Sequence, residues 1–159
     1  MNYDEIRERY EREQMMARQA NQANKAAVFD ALAAAGITYV EVTFDGYGDS
    51  GQIESVISYS GNELPEDEHT GWKINDDTIT EIPKAVRVVL RRNEDNSTTE
   101  TGLPEAIEAL CYELLEDRHA GWEINDGSFG TFWFHVPRRA IRLEFSGRYT
   151  EIETSTDTF

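Results

Sequence analysis

Over the first 35 residues, apolar and polar positions recur at helical spacing with no proline, and the run ends at Gly36. Asn2 followed three positions later by Glu5 is a capping-box pattern, and glycine supplies the left-handed residue that ends a helix, so one helix is expected over residues 2–35. Glu5–Arg9, Arg7–Glu11, Glu8–Arg12 and Arg9–Glu13 stand at i,i+4, where opposite charges support a helix. The second half carries Ala26, Val28, Phe29, Leu32 and Ala33, enough apolar surface to dock on a sheet. The first half offers Tyr3, Ile6, Tyr10 and two methionines among charges. That is the pattern of an amphipathic surface helix, or of a projecting arm through which two copies could form a homodimer.

The period then changes to two. Val40, Val42 and Phe44 alternate with polar residues over 37–44, which predicts a half-buried strand. The glycine-rich turn Asp45-Gly46-Tyr47-Gly48-Asp49-Ser50-Gly51 leads to a second strand at about residues 52–60, the economical reading being a hairpin. Residues 61–83 are acidic and turn-rich; Val86, Val88 and Leu90 then mark a third strand over 85–91, and residues 93–102 read as a polar loop. Pro104 suits the first turn of a second helix, where Glu105 and Glu108 complement the positive dipole end. Ile107, Leu110, Cys111, Leu114 and Leu115 form its one apolar face, which makes Cys111 a core thiol. Phe132, Phe134 and Val136, then Ile141, Leu143 and Phe145, mark two further strands joined by a tight turn at Pro137-Arg138-Arg139. The Thr/Ser-rich residues 151–159 read as a partly mobile tail. These elements predict a single α+β domain, a two-layer sandwich with both helices on one face of a mostly antiparallel five-stranded sheet.

Length and charge narrow the class. A chain of 159 residues, 39% hydrophobic, has enough apolar surface for one core. No apolar run nears the roughly 18 residues of a membrane span. Residues 1–5 lack the apolar centre of a signal peptide. The single cysteine suits a reducing compartment, so the cytoplasm is the expected location. Lys+Arg of 15 against Asp+Glu of 31 gives a net charge of −16, of which residues 1–35 hold −1 and the remainder −15. Such a field repels nucleic acid and anionic membranes and attracts cations or a basic protein surface.

One segment occurs twice, fifty residues apart: Glu66-Asp67-Glu68-His69-Thr70-Gly71-Trp72-Lys73-Ile74-Asn75-Asp76 and Glu116-Asp117-Arg118-His119-Ala120-Gly121-Trp122-Glu123-Ile124-Asn125-Asp126, identical at eight of eleven positions. Each copy is followed by a hydrophobic-Pro-basic turn, at Ile82-Pro83-Lys84 and Val136-Pro137-Arg138, leading into a strand. The structural reading is one chain-turning device used twice: glycine as left-handed cap, tryptophan packed back, Asn-Asp as the turn. The chemical reading is a metal or small-ligand site drawing on the glycine-rich loop and on His69, His119, Glu116 and Asp126, since Glu116-x-x-His119 has the spacing of carboxylate-bridged metal helices. Such sites need further carboxylates from other helices, which favours the structural reading.

Gly48-Asp49-Ser50-Gly51 superficially matches the nucleophile segment of chymotrypsin-type proteases, but Gln52 follows where glycine is needed and the length cannot build two barrels. The loop also lacks the Gly-Lys-Ser/Thr of a phosphate-binding loop and the acidic alternation of a calcium loop. No nucleophile–base pair is evident, nothing argues for an enzyme, and no cofactor is called for. Asp45-Gly46-x-Gly48-Asp49-Ser50-Gly51-Gln52-Ile53-Glu54 together with Gly121-Trp122-Glu123-x-Asn125-Asp126-Gly127-x-x-Gly130 resembles, over residues 39–153, a family of small uncharacterised bacterial proteins found on phages, plasmids and other mobile elements. The resemblance implies a shared fold and brings no activity. Charge and resemblance together lead to the expectation of a non-enzymatic interaction protein that binds a basic site on a protein partner. Its narrower form is a nucleic-acid-mimicking inhibitor of a host defence or nucleic-acid-binding complex. The carboxylates expected to meet the partner are Asp45, Asp49, Glu54, Glu66, Asp67, Glu68, Asp76 and Asp77.

Overall fold

A computed structural model describes residues 2–48, 50–61, 66–67, 71–72, 78–124 and 126–159. In chain order the elements are α1 (Tyr3–Ala34), β1 (Tyr39–Tyr47), β2 (Ser50–Tyr59), β3 (Glu66–Asp67), β4 (Gly71–Trp72), β5 (Ile79–Thr80), β6 (Arg87–Arg91), β7 (Thr98–Gly102), α2 (Leu103–Arg118), β8 (Ser128–His135) and β9 (Ala140–Gly147). The fold is α+β, with a five-stranded antiparallel sheet in the order β5-β2-β1-β8-β9.

α1 starts where its capping box requires: the Asn2 side chain accepts the Glu5 N–H at 2.9 Å, and the Glu5 carboxylate accepts the Asn2 N–H at 3.1 Å. Gly36, at φ +75°, reverses the chain two residues past the helix. The two halves differ as their patterns require. Residues 2–15 are all exposed, whereas Ala20, Asn24, Val28, Phe29 and Leu32 are buried.

Alternation decides which sheet face is covered. Val40, Val42 and Phe44 of β1 lie in register with Phe134, Phe132 and Gly130 of β8, and the five large side chains are at most 2% exposed. They share one core cluster with Phe29 and Leu32 of α1 and with Leu103, Ile107, Leu110, Cys111 and Leu115 of α2. Burial, aided by the nearby Glu108 charge, pushes the Cys111 thiol well above the ordinary thiol range. A thiol reagent should therefore modify Cys111 at least about 1000-fold more slowly in native protein than in denaturant, because reaction needs an opening that costs most of the ~5–15 kcal/mol of folding stability. Fast native-state labelling would contradict this burial.

The count of five strands agrees with the sequence pattern, but its membership differs. The strand expected at residues 85–91 is present as β6, outside the main sheet. It pairs along its length with β7, within the stretch expected to be a polar loop. On α1, the Asn24 amide donates to the Arg91 carbonyl at 3.0 Å and accepts the Arg91 N–H at 2.7 Å, as a neighbouring strand would. The fifth place in the sheet is taken by the two-residue β5, paired to the end of β2.

Candidate functional site

The glycine-rich turn and the second repeat copy interlock at Trp122. Gly121, at φ +80°, turns the chain after α2 and delivers Trp122, only 7% exposed, onto the β1–β2 hairpin. The indole occupies the space where side chains would stand at Gly46 and Gly51: an added Cβ would lie 2.8 Å from the ring at Gly46 and 2.3 Å at Gly51. Phe44 meets the indole edge-on at 5.6 Å, and Tyr112 of α2 lies against it at 6.2 Å. The Tyr112 hydroxyl accepts the Ile53 N–H at 2.9 Å. Ser128 closes the turn by donating to the Trp122 carbonyl at 2.7 Å. The register passes from Thr43↔Ser55 to Phe44↔Ile53, so Glu54 is the extra residue of a bulge and its side chain is exposed.

Arg148, directly after β9, ties the other side of this junction. Its guanidinium holds both oxygens of Asp45, at 2.9 and 3.0 Å, and donates to the carbonyls of Gly46 at 3.1 Å and Ser128 at 3.3 Å. It also lies 4.8 Å from the centre of the Phe129 ring. A bidentate pair that also bridges two backbones locks the hairpin to β8, so the Asp45 charge is largely spent within the molecule.

Of the carboxylates expected to meet a partner, Asp45 and Glu54 line one shallow depression with Tyr47, Ser50, Gly51 and Gln52. Glu66 and Asp67 form β3, and their side chains lie outside the described residues, as do Asp49, Glu68, Asp76 and Asp77. Of the alternative metal set, His69 is outside the described residues. Glu116 is exposed on α2, the His119 ring stacks on Phe145 at 3.7 Å, and Asp126 accepts a hydrogen bond from Thr150 at 2.7 Å. Among the described residues no three His, Cys, Asp or Glu side chains group as metal ligands do.

The repeat copies do not share one conformation. In the second, the Glu-Asp pair is the last turn of α2, and Gly121-Trp122 follows it. In the first, Glu66 pairs with Trp72 and Asp67 with Gly71, making a tight two-stranded hairpin. The expectation of one device used twice is therefore corrected: context decides between helix end and hairpin. The Pro-basic turns are offset by one position: Val86 N–H bonds to the carbonyl of Pro83 itself at 3.4 Å, whereas Arg139 N–H bonds to the carbonyl of Val136, the residue before Pro137, at 3.1 Å.

A second acidic feature lies on the outer stripe of α2. Glu105, Glu108, Tyr112 and Glu116 recur at helical spacing, with Glu113 beside them, and Arg118 in the last turn is the helix's only basic residue. In the sequence Glu105 and Glu108 read as complementing the helix dipole, and Glu116 enters only the disfavoured metal alternative. Glu113 registers the crowding: burial pushes its carboxyl up, the nearby Glu116 and Glu94 charges push further, and the Asn93 amide offsets part of this. A carboxyl raised in the folded state contributes stability below its unfolded value of about 4.3, and the contribution is lost as pH rises through the folded value. Glu113→Gln, which can still accept from Asn93, should therefore raise Tm at pH 7, and the gain should close as the pH approaches about 4. An equal gain at both pH values would assign the effect to something other than charge.

At the far end of the sheet His135, fully buried, accepts the Arg138 N–H on Nδ1 at 3.1 Å and faces the Tyr39 hydroxyl through Nε2 at 3.3 Å. Nδ1 thus serves as an acceptor for the backbone of the turn that joins β8 to β9. Nothing in the local pattern around position 135 marked this residue.

Sheet, helices and interlock define a small α+β protein whose signature motifs are where chain segments meet. The chain belongs to a family of unknown function, DUF6878, which it matches over residues 20–159. The match begins at Ala20, the first buried residue of α1, so the exposed first turns stand outside the family pattern. No curated protein and no solved structure matches the chain. No helix among the described residues is long and apolar enough to cross a membrane.

Proposed function

We propose that this protein is a non-enzymatic, acidic interaction protein that binds a basic site on a protein partner, with the outer stripe of α2 as its main contact. The observation that carries this is the run of Glu105, Glu108, Glu113 and Glu116 around Tyr112, where Glu113 is raised in part by neighbouring carboxylates. Repulsion inside such a stripe is relieved when Lys or Arg side chains approach, so a basic partner gains more here than from scattered charges. Tyr112, half-buried beside Trp122, adds the aromatic anchor that interfaces favour. Glu54, set outward by its bulge, extends the acidic surface. The narrower reading is inhibition of a nucleic-acid-binding or host defence complex by occupying its nucleic-acid site, with the cytoplasm as the expected setting. Direct binding to nucleic acid or to an anionic membrane is disfavoured by the net charge of −16.

The test is capture. Immobilised protein is expected to retain a basic partner from a host lysate at about 0.1 M salt and release it at about 1 M, where the screening length falls from about 10 to about 3 Å. Duplex DNA should compete for that partner if the narrower reading holds. Partners that remain bound at high salt, or are neutral or acidic, would remove the basis of the proposal.

A further inference from the structure

α1 and α2 leave a groove between them that has the sheet as its floor. Phe132 of β8 and Ile141 and Leu143 of β9 make the floor, and Leu114 of α2 forms one wall. Leu114, Ile141 and Leu143 are only half-buried, so apolar surface stands open to water here. The volume is about 510 Å³, within the roughly 300–1,000 Å³ of small-molecule sites. His119, stacked flat on Phe145 at 3.7 Å, bounds the groove where β9 runs on past Leu143. The charges around it run against the rest of the molecule. Lys25 of α1 and Arg118 of α2 stand in its walls, and no carboxylate among the described residues lines it. In a chain with 31 acidic and 15 basic residues, the opposite balance is the ordinary one. Helical spacing holds both cations at the rim. Lys25 stands one turn before Phe29, with its Nζ 5.9 Å from the centre of that ring, and residues 14–29 contain no acid to draw it away. Arg118 stands one turn after Leu114, on the side of α2 away from the acidic stripe. Its Nε pairs with the adjacent Asp117 at 3.3 Å, but both side chains are exposed and such pairs hold weakly. The second repeat copy also departs from the first at this point, with Arg118 where the first has Glu68.

We infer that this groove binds a small amphipathic anion, an apolar chain or ring that carries one carboxylate. The apolar body lies on Leu114, Ile141 and Leu143 and takes their exposed surface out of water. The head meets the two cations at the rim, where the planar fork of Arg118 and the point charge of Lys25 together suit the two oxygens of a carboxylate. A neutral hydrocarbon leaves both cations unmatched, and a cationic amphiphile brings like charge to them. The ligand is a free molecule and not a lipid in a bilayer, because a net charge of −16 repels an anionic membrane. The groove lies on the opposite side of α2 from Glu105, Glu108 and Glu116, so it is independent of the basic partner proposed for the stripe.

Titration calorimetry of the full chain with decanoate, decanol and decyltrimethylammonium, which share one apolar chain and differ in the head, tests this. Decanoate is expected to bind once per chain and at least about ten-fold tighter than either of the others. The comparison is decisive because the field of the whole molecule favours the cation. Lys25→Gln and Arg118→Gln together should weaken decanoate by about ten-fold or more while Tm stays within about 2 °C, since neither side chain is in the core. In methyl NMR spectra decanoate should move the signals of Leu114, Ile141 and Leu143, and leave those of Ile79 and Ile82, in the larger groove beside β5, where they are. No saturable binding of decanoate overturns the inference, as does binding of several molecules per chain or signals that move only at Ile79 and Ile82. Equal or tighter binding of the cationic ligand also overturns it. So does a double variant that binds decanoate unchanged, which would leave an apolar groove with no preference for a head group.

Discussion

Replacing Gly127 with alanine is expected to lower Tm by up to about 20 °C. Two independent costs fall on this position. Its φ of +75° is a left-handed conformation, which costs a residue with a Cβ about 1–2 kcal/mol. The added Cβ would also stand 1.8 Å from the Gly46 carbonyl oxygen, well inside contact distance and against backbone that cannot rotate away. Gly46 is itself held by the indole of Trp122 and by its ladder partner Ser128, so the hairpin cannot yield without opening the interlock. Overpacking of this kind adds about 1–3 kcal/mol or more. Together, about 2–5 kcal/mol should lower Tm by roughly 4–20 °C in a chain of this length. Gly48→Ala isolates the first cost, since Gly48 has φ +65° but nothing within 4 Å of an added Cβ. It should lose only about 1–2 kcal/mol, a few degrees of Tm. Thermal melts of the two variants decide the matter: similar losses would mean that the close approach of Gly127 to Gly46 is not what holds this junction.

The same junction shows how far the chain could be read in advance. Elements with strong local signals were legible: the Asn2–Glu5 box, the stop at Gly36, the Val40/Val42/Phe44 alternation and the apolar face of α2. β7 was not, because Thr98, Thr99 and Glu100 are exposed on both faces and give no apolar alternation, only the β-branched preference of threonine. Its strand character comes from the ladder with β6. The first repeat copy misled for a related reason. Its residues match those of the second, but Pro65 directly precedes Glu66, and a helix cannot run through that position as α2 runs through Glu116. The candidate site divides in the same way. The glycines of both motifs could be seen, yet their purpose depends on Trp122 reaching across about seventy residues of chain to the hairpin. The partner of Asp45 is Arg148, 103 positions away, and no local spacing announces such a pair. The α2 stripe was present in plain helical periodicity. Recognising it required knowing that its other faces are buried.

Four charge-neutralising substitutions on α2, Glu105→Gln, Glu108→Gln, Glu113→Gln and Glu116→Gln together, are expected to weaken capture of a basic partner by about 100-fold or more, since each contact to a charged group is worth about 1.5–3 kcal/mol before screening. The decisive control changes net charge by the same amount elsewhere. Asp4→Asn, Glu5→Gln, Glu8→Gln and Glu11→Gln lie on the exposed first turns of α1, outside the family match, and should alter affinity by no more than about three-fold through the long-range field. Both variants are less negative by four, so a diffuse attraction to an acidic molecule would weaken them alike, and only a contact at the stripe separates them. The stripe variant should fold about as well as wild type at pH 7, because the repulsion removed at Glu113 and Glu116 offsets the helix-dipole contribution lost with Glu105. Loss of binding there could not be attributed to loss of structure, which a melt at the same pH would verify. Equal weakening of the two variants would assign the attraction to net charge alone, and the α2 stripe would then have no claim to be the binding surface.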